Sequence, residues 1–514
     1  MVHDISPRRY RNRPGDVEAF RQADMPPTTR QAKRGTVRHG RMVLCAGPAA
    51  LALVLGLWGI TREHSMWRDE AATWQAAHRS LAEIGHMVGH VDVVHGLYYA
   101  VMHGVFALFG DSLITLRLPS VLATAAACTL TALTGARLSG RWVGIGAGLA
   151  LPVVPAVQEY AQEGRSYALV LAFVALATWL LVRALAQPNS RRWAGYAAAL
   201  LIAALLNWFS LFALAAHAVT TLLARPGRAR SIGWALAATG AVAGALPVVL
   251  ISRAQAEQVS WIKPLGWPTV LGVLITVTIS ALCARTPHAR LPKNLRRDRP
   301  HPRVSLAAVA LPLCAVPQIG LAAVSLVKPL YITRYVLFAY LGLALLIGAL
   351  LATLTVRIRK HPRLLLPATL TVALLALLPT ELRLRTAQSR VDDVLTAASL
   401  VAHARHAADG VLYIPAARRD TALVSPHEFA GLRDLALAQS PVTSGTLKGI
   451  EAGLSDIARA VRSAQRIVLV TDPGLLPADS ARDRAKQRAL AEHFALRSDS
   501  IERGRRVSVY ERVK

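Results

Sequence analysis

Ser166-Tyr-Ala-Leu-Val-Leu-Ala-Phe-Val-Ala-Leu-Ala-Thr-Trp-Leu-Leu-Val-Arg-Ala-Leu-Ala186 carries a single charge, Arg183. The run is long enough to cross a bilayer core of about 30 Å as a helix. Similar apolar runs recur between Leu51 and Leu378, at 118–136, 142–158, 231–251, 268–284, 304–327, 335–355 and 363–380. Charged residues make up only 17% of the 514-residue chain and hydrophobic ones 53%, whereas a soluble domain carries about 25% charged residues. A soluble protein and a single-span anchored protein are both excluded. The fold class is a polytopic α-helical membrane protein, with eleven spans expected and twelve or thirteen allowed.

The formal net charge of +29 raises nucleic acid as a partner, but the placement of the charge argues against it. Residues 1–41 carry ten Lys/Arg and four acids, and 285–303 carry seven Lys/Arg and one Asp. Short basic runs such as Arg225-Pro-Gly-Arg-Ala-Arg230 and Arg357-Ile-Arg-Lys-His-Pro-Arg363 separate apolar segments. Cytoplasmic loops have this composition under the positive-inside rule. Residues 1–41 read as a basic, disordered cytoplasmic tail resting on anionic lipid. The run at 42–60 is too long for a signal peptide and reads as an uncleaved first span. Cys45, Cys128, Cys283 and Cys314 lie in or beside apolar segments, without metal or disulfide spacing.

Two stretches are ambiguous. Residues 195–223 suit a tight hairpin broken at Asn207-Trp-Phe-Ser210, and 94–110 is apolar yet holds two His and two Tyr. Placing 61–93 as the first outer loop satisfies the basic-loop parity only if 94–110 does not fully cross. The membrane domain then spans 42–380. Beyond it, 381–514 regain both charge signs, with strand-like runs at 410–415, 465–471 and 506–510 and helical patterns near 392–407, 450–464 and 480–494. That alternation predicts a small α/β domain, extracytoplasmic if the span count is odd.

Between Val94 and Thr380 the only acids are Asp111, Glu159, Glu163, Glu257 and Asp298, all at segment ends or in loops. Ion-coupled transporters hold ionisable groups near mid-membrane; here the carboxylates gather in the first outer loop instead. Arg68-Asp69-Glu70, flanked by Trp67 and Trp74, places two carboxylates at interface depth. One suits proton abstraction from a hydroxyl and the other its orientation. A solvated loop with aromatic anchors is the plainer alternative. Asp92, His95, Tyr98 and Tyr99 offer hydrogen bonds and stacking faces to a sugar or headgroup, or form an aromatic belt. Glu163, Arg165 and Tyr167 share one outer loop, and Arg165 suits phosphate through its forked donors. Lys328, Arg334 and Tyr335 lie in a basic outer loop, which calls for a phosphate partner or a headgroup anchor.

In order and spacing, Arg68-Asp-Glu70, Asp92…His95…Tyr98-Tyr99, Arg117-Leu-Pro-Ser120, Glu163-Gly-Arg-Ser-Tyr167 and Thr333-Arg-Tyr335 resemble the bacterial GT-C glycosyltransferases. The relatives are the protein O-mannosyltransferases and the aminoarabinose transferases, and the resemblance covers roughly 42–355. It implies inverting transfer of a sugar, with mannose or another hexose expected, from a polyprenyl-phosphate donor at the outer face. The acceptor would be a hydroxyl of a glycan, lipid or protein. It further implies Asp69 as general base with Glu70 beside it, and Arg165 and Arg334 as contacts of the lipid-linked phosphate; the sequence has no nucleotide-binding glycine loop, so a cytosolic nucleotide-sugar donor is not indicated. The family's His-Pro-Pro is His95-Gly-Leu here, and its Glu-Ala-Arg is Glu163-Gly-Arg. No cofactor is required by this reading. A divalent cation at Asp69/Glu70 stays open, although two carboxylates alone do not make a metal site. The competing readings are a flippase or transporter of lipid-linked glycans, and a scaffold whose outer domain binds cell wall.

Overall fold

The computed structural model describes residues 27–255, 261–289, 304–357, 362–405, 408–474, 476 and 480–513. Residues 1–26 of the basic tail and most of the basic loop at 285–303 lie outside them. The first helix, α1 (Pro27–Leu57), starts well before the first apolar run, so residues 27–41, expected in the disordered tail, are helical. Proline at its first position and the Lys, Arg and Gln that follow are compatible with a helix start without adding apolar periodicity.

Past α1 the chain turns sharply. Arg62, Glu63 and His64 take positive φ of 45°, 56° and 57°, which costs an L-residue roughly 1–2 kcal/mol each. The contacts made here hold the turn: the Arg62 side chain is tied to Glu70, and Glu63 accepts the amide of Ala387 at 3.2 Å. Three short helices follow, α2 (Arg68–Ala77), α3 (Leu81–His90) and α4 (Gly96–Phe109). At 1.5 Å per residue, the 14 residues of α4 reach about 21 Å, too short to cross alone.

The remaining membrane helices are α5 (Leu113–Ser139), α6 (Arg141–Ala150), α7 (Pro155–Ala161), α8 (Tyr167–Ala186), α9 (Ser190–Leu206), α10 (Leu211–Ala224), α11 (Arg228–Ala254), α12 (Trp267–Cys283), α13 (Leu306–Ser325), α14 (Tyr340–Arg357) and α15 (Pro362–Leu384). Among the described residues, six helices are long and apolar enough to span, or seven if the α6–α7 pair, bent by 66°, counts as one. Several of the expected spans are apolar helical stretches of 14 to 17 residues: Met42–Leu57 within α1, α10 and α12. The α6–α7 bend falls at Pro152 and Pro155, and the Gln158 amide donates to the carbonyl of Pro152 across the break. The break expected at Asn207 is present: its side chain caps residues 208–210 by accepting the Phe209 amide at 3.0 Å. The flanking helices do not form a tight hairpin, however, because α10 packs on α13 instead. Helices meet closely at Gly348, where an added Cβ would stand 2.5 Å from the carbonyl of Val143.

The C-terminal domain comprises α16 (Val394–Ala404), β1 (Gly410–Ile414), α17 (Asp420–Val424), β2 (Arg433–Asp434), β3 (Leu437–Gln439), β4 (Ile450–Glu451), α18 (Leu454–Ser463), β5 (Arg466–Thr471), α19 (Ala481–His493), β6 (Phe494–Glu502) and β7 (Arg505–Arg512). The main sheet has the order β2-β1-β5-β7-β6, parallel through β1 and β5 and antiparallel at β7 and β6. Strand alternation gives it two buried faces. Leu412, Ile467 and Leu469 pack with α18 and α19, while Val411, Val468 and Val470 pack with α16. Strand β6 had no counterpart in the sequence reading. It is a largely exposed edge strand in which Arg497-Ser-Asp-Ser500 interrupts the apolar residues.

Candidate active site

Helix α2 begins at Arg68, so Asp69 and Glu70 lie in its first turn and point in different directions. Glu70 is fully buried. Its Oε1 accepts hydrogen bonds from Arg62 at 2.7 Å, Arg117 Nε at 2.7 Å and the Gly164 amide at 3.0 Å; its Oε2 accepts Arg117 Nη2 at 2.7 Å. Arg117 also donates to the carbonyls of Ile60 and Ser65, both at 2.6 Å. Burial alone would raise the Glu70 pKa, but the two guanidinium groups hold it down at about 2. Burial also lowers Arg62, to about 9. This ion-paired knot ties the first outer loop to α5 and to the loop before α8.

Asp69 is half-buried and faces a cavity of about 610 Å³. Its Oδ2 lies 3.4 Å from Arg334 Nη2, and its backbone carbonyl accepts from Arg165 at 3.3 Å. Arg334 sits 5.5 to 5.9 Å from the ring centres of Trp67, Tyr167, Trp261 and Tyr335, a set of aromatic faces that favours a cation. Arg165 also reaches Thr73 Oγ1 at 3.4 Å and Tyr99 Oη at 3.3 Å. Tyr99 in turn donates to Asp92, whose carboxylate lies 4.0 Å from His95.

Of the residues singled out in the sequence, Arg68, Asp69, Asp92, His95, Arg165, Tyr167, Arg334 and Tyr335 line this cavity. Lys328 lines an adjoining one of about 340 Å³ with Arg253, Asn207 and Trp208, and the two share Val94, His95 and Tyr335. Glu70, Tyr98, Tyr99 and Glu163 stand behind the wall. Tyr99 is one bond from the cavity through Asp92, and Tyr98 is wholly buried. Gly96, where the related families carry proline, packs against Val88: an added Cβ would stand 3.0 Å from a Val88 methyl. Glu163 is fully buried, and neither carboxylate oxygen accepts a hydrogen bond from the described residues. Burial pushes its pKa up to about 7, helped by Glu70 and Asp69 and opposed by Arg390 and Arg334.

Three contributions escaped the sequence reading. Arg117 stands in the sequence only as part of the motif Arg117-Leu-Pro-Ser120, and its role as partner of Glu70 is missed, although a lone cation within an apolar segment is a signal for a buried partner. Trp261, beyond α11, closes one side of the cavity. Ala417, Arg418, Asp420, Thr446, Leu447 and Lys448 of the C-terminal domain form the opposite wall. Arg418 and Asp472 stand where β1 and β5 end and pair at 2.7 and 2.5 Å, and Asp472 is 3.5 Å from Arg68. The carboxyl ends of parallel strands, the usual ligand side of such sheets, thus face the segment 61–93.

The residues do not suit a divalent cation. All of Glu70's short contacts are to Arg62, Arg117 and a backbone amide, and Asp69 is faced by Arg334. Among the described residues no three His, Cys, Asp or Glu side chains gather in a metal-binding group.

Comparison with known proteins agrees with the architecture. A family model described as dolichyl-phosphate-mannose-protein mannosyltransferase matches residues 97–252. Two crystal structures of ArnT from Cupriavidus metallidurans superpose on the chain. The one bound to undecaprenyl phosphate has a TM-score of 0.59 at 14% identity, covering 90% of this chain and 97% of that one. The apo form has a TM-score of 0.58 at 14% identity, covering 93% and 98%. None of the curated proteins matches the chain. The chain is a multi-pass membrane protein with the fold of these two structures. It resembles the protein mannosyltransferases in part of its sequence and ArnT in its whole architecture.

Proposed function

We propose that the protein is a membrane glycosyltransferase that moves a sugar, mannose or another hexose, from a polyprenyl-phosphate carrier to an acceptor hydroxyl. The observation that carries this reading is the Asp69 carboxylate lying 3.4 Å from Arg334 in one cavity, with Arg165 in the same wall bonded to the Asp69 backbone carbonyl. Asp69 takes the proton of the acceptor hydroxyl as its oxygen attacks C1 of the sugar. The bond from C1 to the phosphate oxygen breaks with inversion, and the polyprenyl phosphate leaves with charge that Arg334 and Arg165 stabilise. Lys328 and Arg253 beside the smaller cavity extend this cationic side. Asp92, His95, Tyr167 and Tyr335 give the sugar hydrogen bonds and ring faces, and Arg68 frames the acceptor side. Glu70 supports Asp69 by fixing its helix rather than by touching substrate.

The distribution of charge supports an outer-face site. Arg137 and Arg141, Arg183 to Arg192, Arg225 to Arg230 and Arg357 all fall at the helix ends remote from the cavity. Under the positive-inside rule those ends face the cytoplasm, so the cavity and the α/β domain face outward. A membrane assay with radiolabelled polyprenyl-phosphate hexose tests the reaction. Label should move to an acceptor in the wild type and fail to move in Asp69→Asn. Absence of transfer from every lipid-linked sugar tried, with folded protein, would favour a flippase or a scaffold.

A further inference from the structure

The helix that carries Asp69 lacks a cap of its own: Trp67 occupies the N-cap position and provides no side-chain hydrogen bond. Amides at a helix start need acceptors, and here they come from more than three hundred residues away. Asp392 Oδ1 accepts the amide of Arg68 at 3.1 Å, while its Oδ2 accepts Arg68 Nε at 2.9 Å. Asp393 Oδ1 accepts the amide of Met66 at 3.1 Å, and the carbonyl of Met66 accepts the amide of Val394 at 2.8 Å. Residues 66–68 are therefore stitched to 392–394 on both sides of the N-cap. Both aspartates are essentially buried, at 2% and 0% exposure.

The anchor is itself fixed from within the C-terminal domain. Arg505 donates to Asp392 at 2.9 Å and to both oxygens of Asp420 at 2.9 and 2.8 Å. Asp393 accepts from Arg503 at 3.2 Å, and its own amide donates to the Arg503 carbonyl at 2.9 Å. The β6–β7 turn thus holds the two aspartates, which hold the start of α2. Asp69 is the residue immediately after the last amide so held.

We propose that Asp392 and Asp393 are positioning residues for Asp69, so that the C-terminal domain is a working part of the transfer site. This inference rests on the function proposed above. The two carboxylates supply acceptors and negative charge at the positive end of α2, and their removal would let its first turn fray. A displacement of about 1 Å in a reacting group costs up to about 100-fold in rate, whereas Arg334 and Arg165, carried by other segments of the chain, remain in place to bind the donor.

Two substitutions of Asp393 separate this role from its second one, capping α16 by accepting the amide of Leu395 at 3.1 Å. Asparagine retains an acceptor of the same reach; serine still caps α16 well but is too short for the Met66 amide. In full-length protein in nanodiscs, Asp393→Asn, which keeps the Met66 and Leu395 acceptor and gives up the Arg503 and Thr396 bonds at Oδ2, should keep most of the wild-type turnover. Asp393→Ser should lose about 10- to 100-fold in kcat with the KM for polyprenyl-phosphate hexose little changed. Amide hydrogen exchange over residues 66–72 should accelerate in the serine variant only. Unchanged exchange there in Asp393→Ser, or equal loss of turnover in both variants, overturns the proposal. A wild type that transfers no sugar would refute the functional reading instead, and the exchange measurement would still decide whether these residues hold α2.

Discussion

Arg117 holds Glu70 by two hydrogen bonds of 2.7 Å, one to each carboxylate oxygen, inside a region that excludes solvent from both side chains. Asp69, the preceding residue, keeps a quarter of its side chain exposed to the cavity. Two adjacent carboxylates of one helical turn therefore have separate duties. The substitutions Glu70→Gln and Asp69→Asn should differ in kind. The first leaves Arg62 and Arg117 buried without their anion, a loss of roughly 3–5 kcal/mol, visible as a large drop in thermal unfolding temperature or in yield. The second should unfold like the wild type and fail to transfer sugar. Because the folded pKa of Glu70, about 2, lies below its unfolded value of about 4.3, its stabilisation is complete above the unfolded value. It is lost only as pH falls from there toward 2.

Glu163 gives the opposite pH dependence. Its folded pKa of about 7 exceeds the unfolded one, so between these values the folded state binds more protons and stability falls as pH rises. Below the unfolded pKa there is no penalty, and above about 7 the penalty is complete, at a few kcal/mol. Glu163→Gln should thus stabilise the protein at pH 8 and change little at pH 4.5. Thermal unfolding of both forms across this range measures it. A wild-type curve that stays flat from pH 5 to 8 would show that Glu163 is ionised and paired.

What the sequence revealed depended on how far apart the interacting residues stand. Asp69, Arg165 and Arg334 were recognisable because each sits in a short motif whose residue types suit the chemistry, and the cavity unites them. The knot behind them was not recognisable, because Arg62 and Arg117 meet Glu70 only after the left-handed turn at 62–64 folds the loop back. The α/β domain's strands β1, β5 and β7 were evident as short strand-like runs, whereas in edge strand β6 Arg, Asp and Glu break up the apolar residues. Its seating over the cavity was hidden as well. Asp392 and Asp393 look like a polar linker until Met66 and Arg68 are placed against them. Apolar run length did not fix where each helix ends: α10 and α12 stop at 14 and 17 residues.

Deep in the helical bundle, Trp234 Nε1 donates to Tyr196 Oη at 3.1 Å, and Tyr196 lies 3.1 Å from His217 Nδ1. His217 Nε2 in turn lies 3.0 Å from Thr178 Oγ1, which donates to the carbonyl of Val174 at 2.8 Å. Thr178 gives its one proton to Val174, so a neutral His217 that donates from Nε2 and accepts the tyrosine proton at Nδ1 satisfies the chain from end to end. This is glue between helices α8, α9, α10 and α11 rather than an ion path. Tyr196→Phe should cost about 1 kcal/mol of stability and leave kcat for sugar transfer unaltered. Transfer kinetics alongside chemical unfolding in detergent would reveal any catalytic role as a lowered kcat.

Arg334 combines a charge with a planar fork among four aromatic rings, 3.4 Å from Asp69. Lysine would keep the charge but lose both the stacking surface and the paired donors. If Arg334 stabilises the departing phosphate, Arg334→Lys should retain partial turnover, while Arg334→Ala should lose about 100-fold or more. The loss should fall mainly on kcat, since charge on the leaving oxygen develops during bond breaking. Steady-state kinetics with a polyprenyl-phosphate hexose distinguishes the alternatives. A rise in KM alone would make Arg334 a binder of the resting donor, and equal activity of the lysine and arginine forms would reduce its role to a point charge.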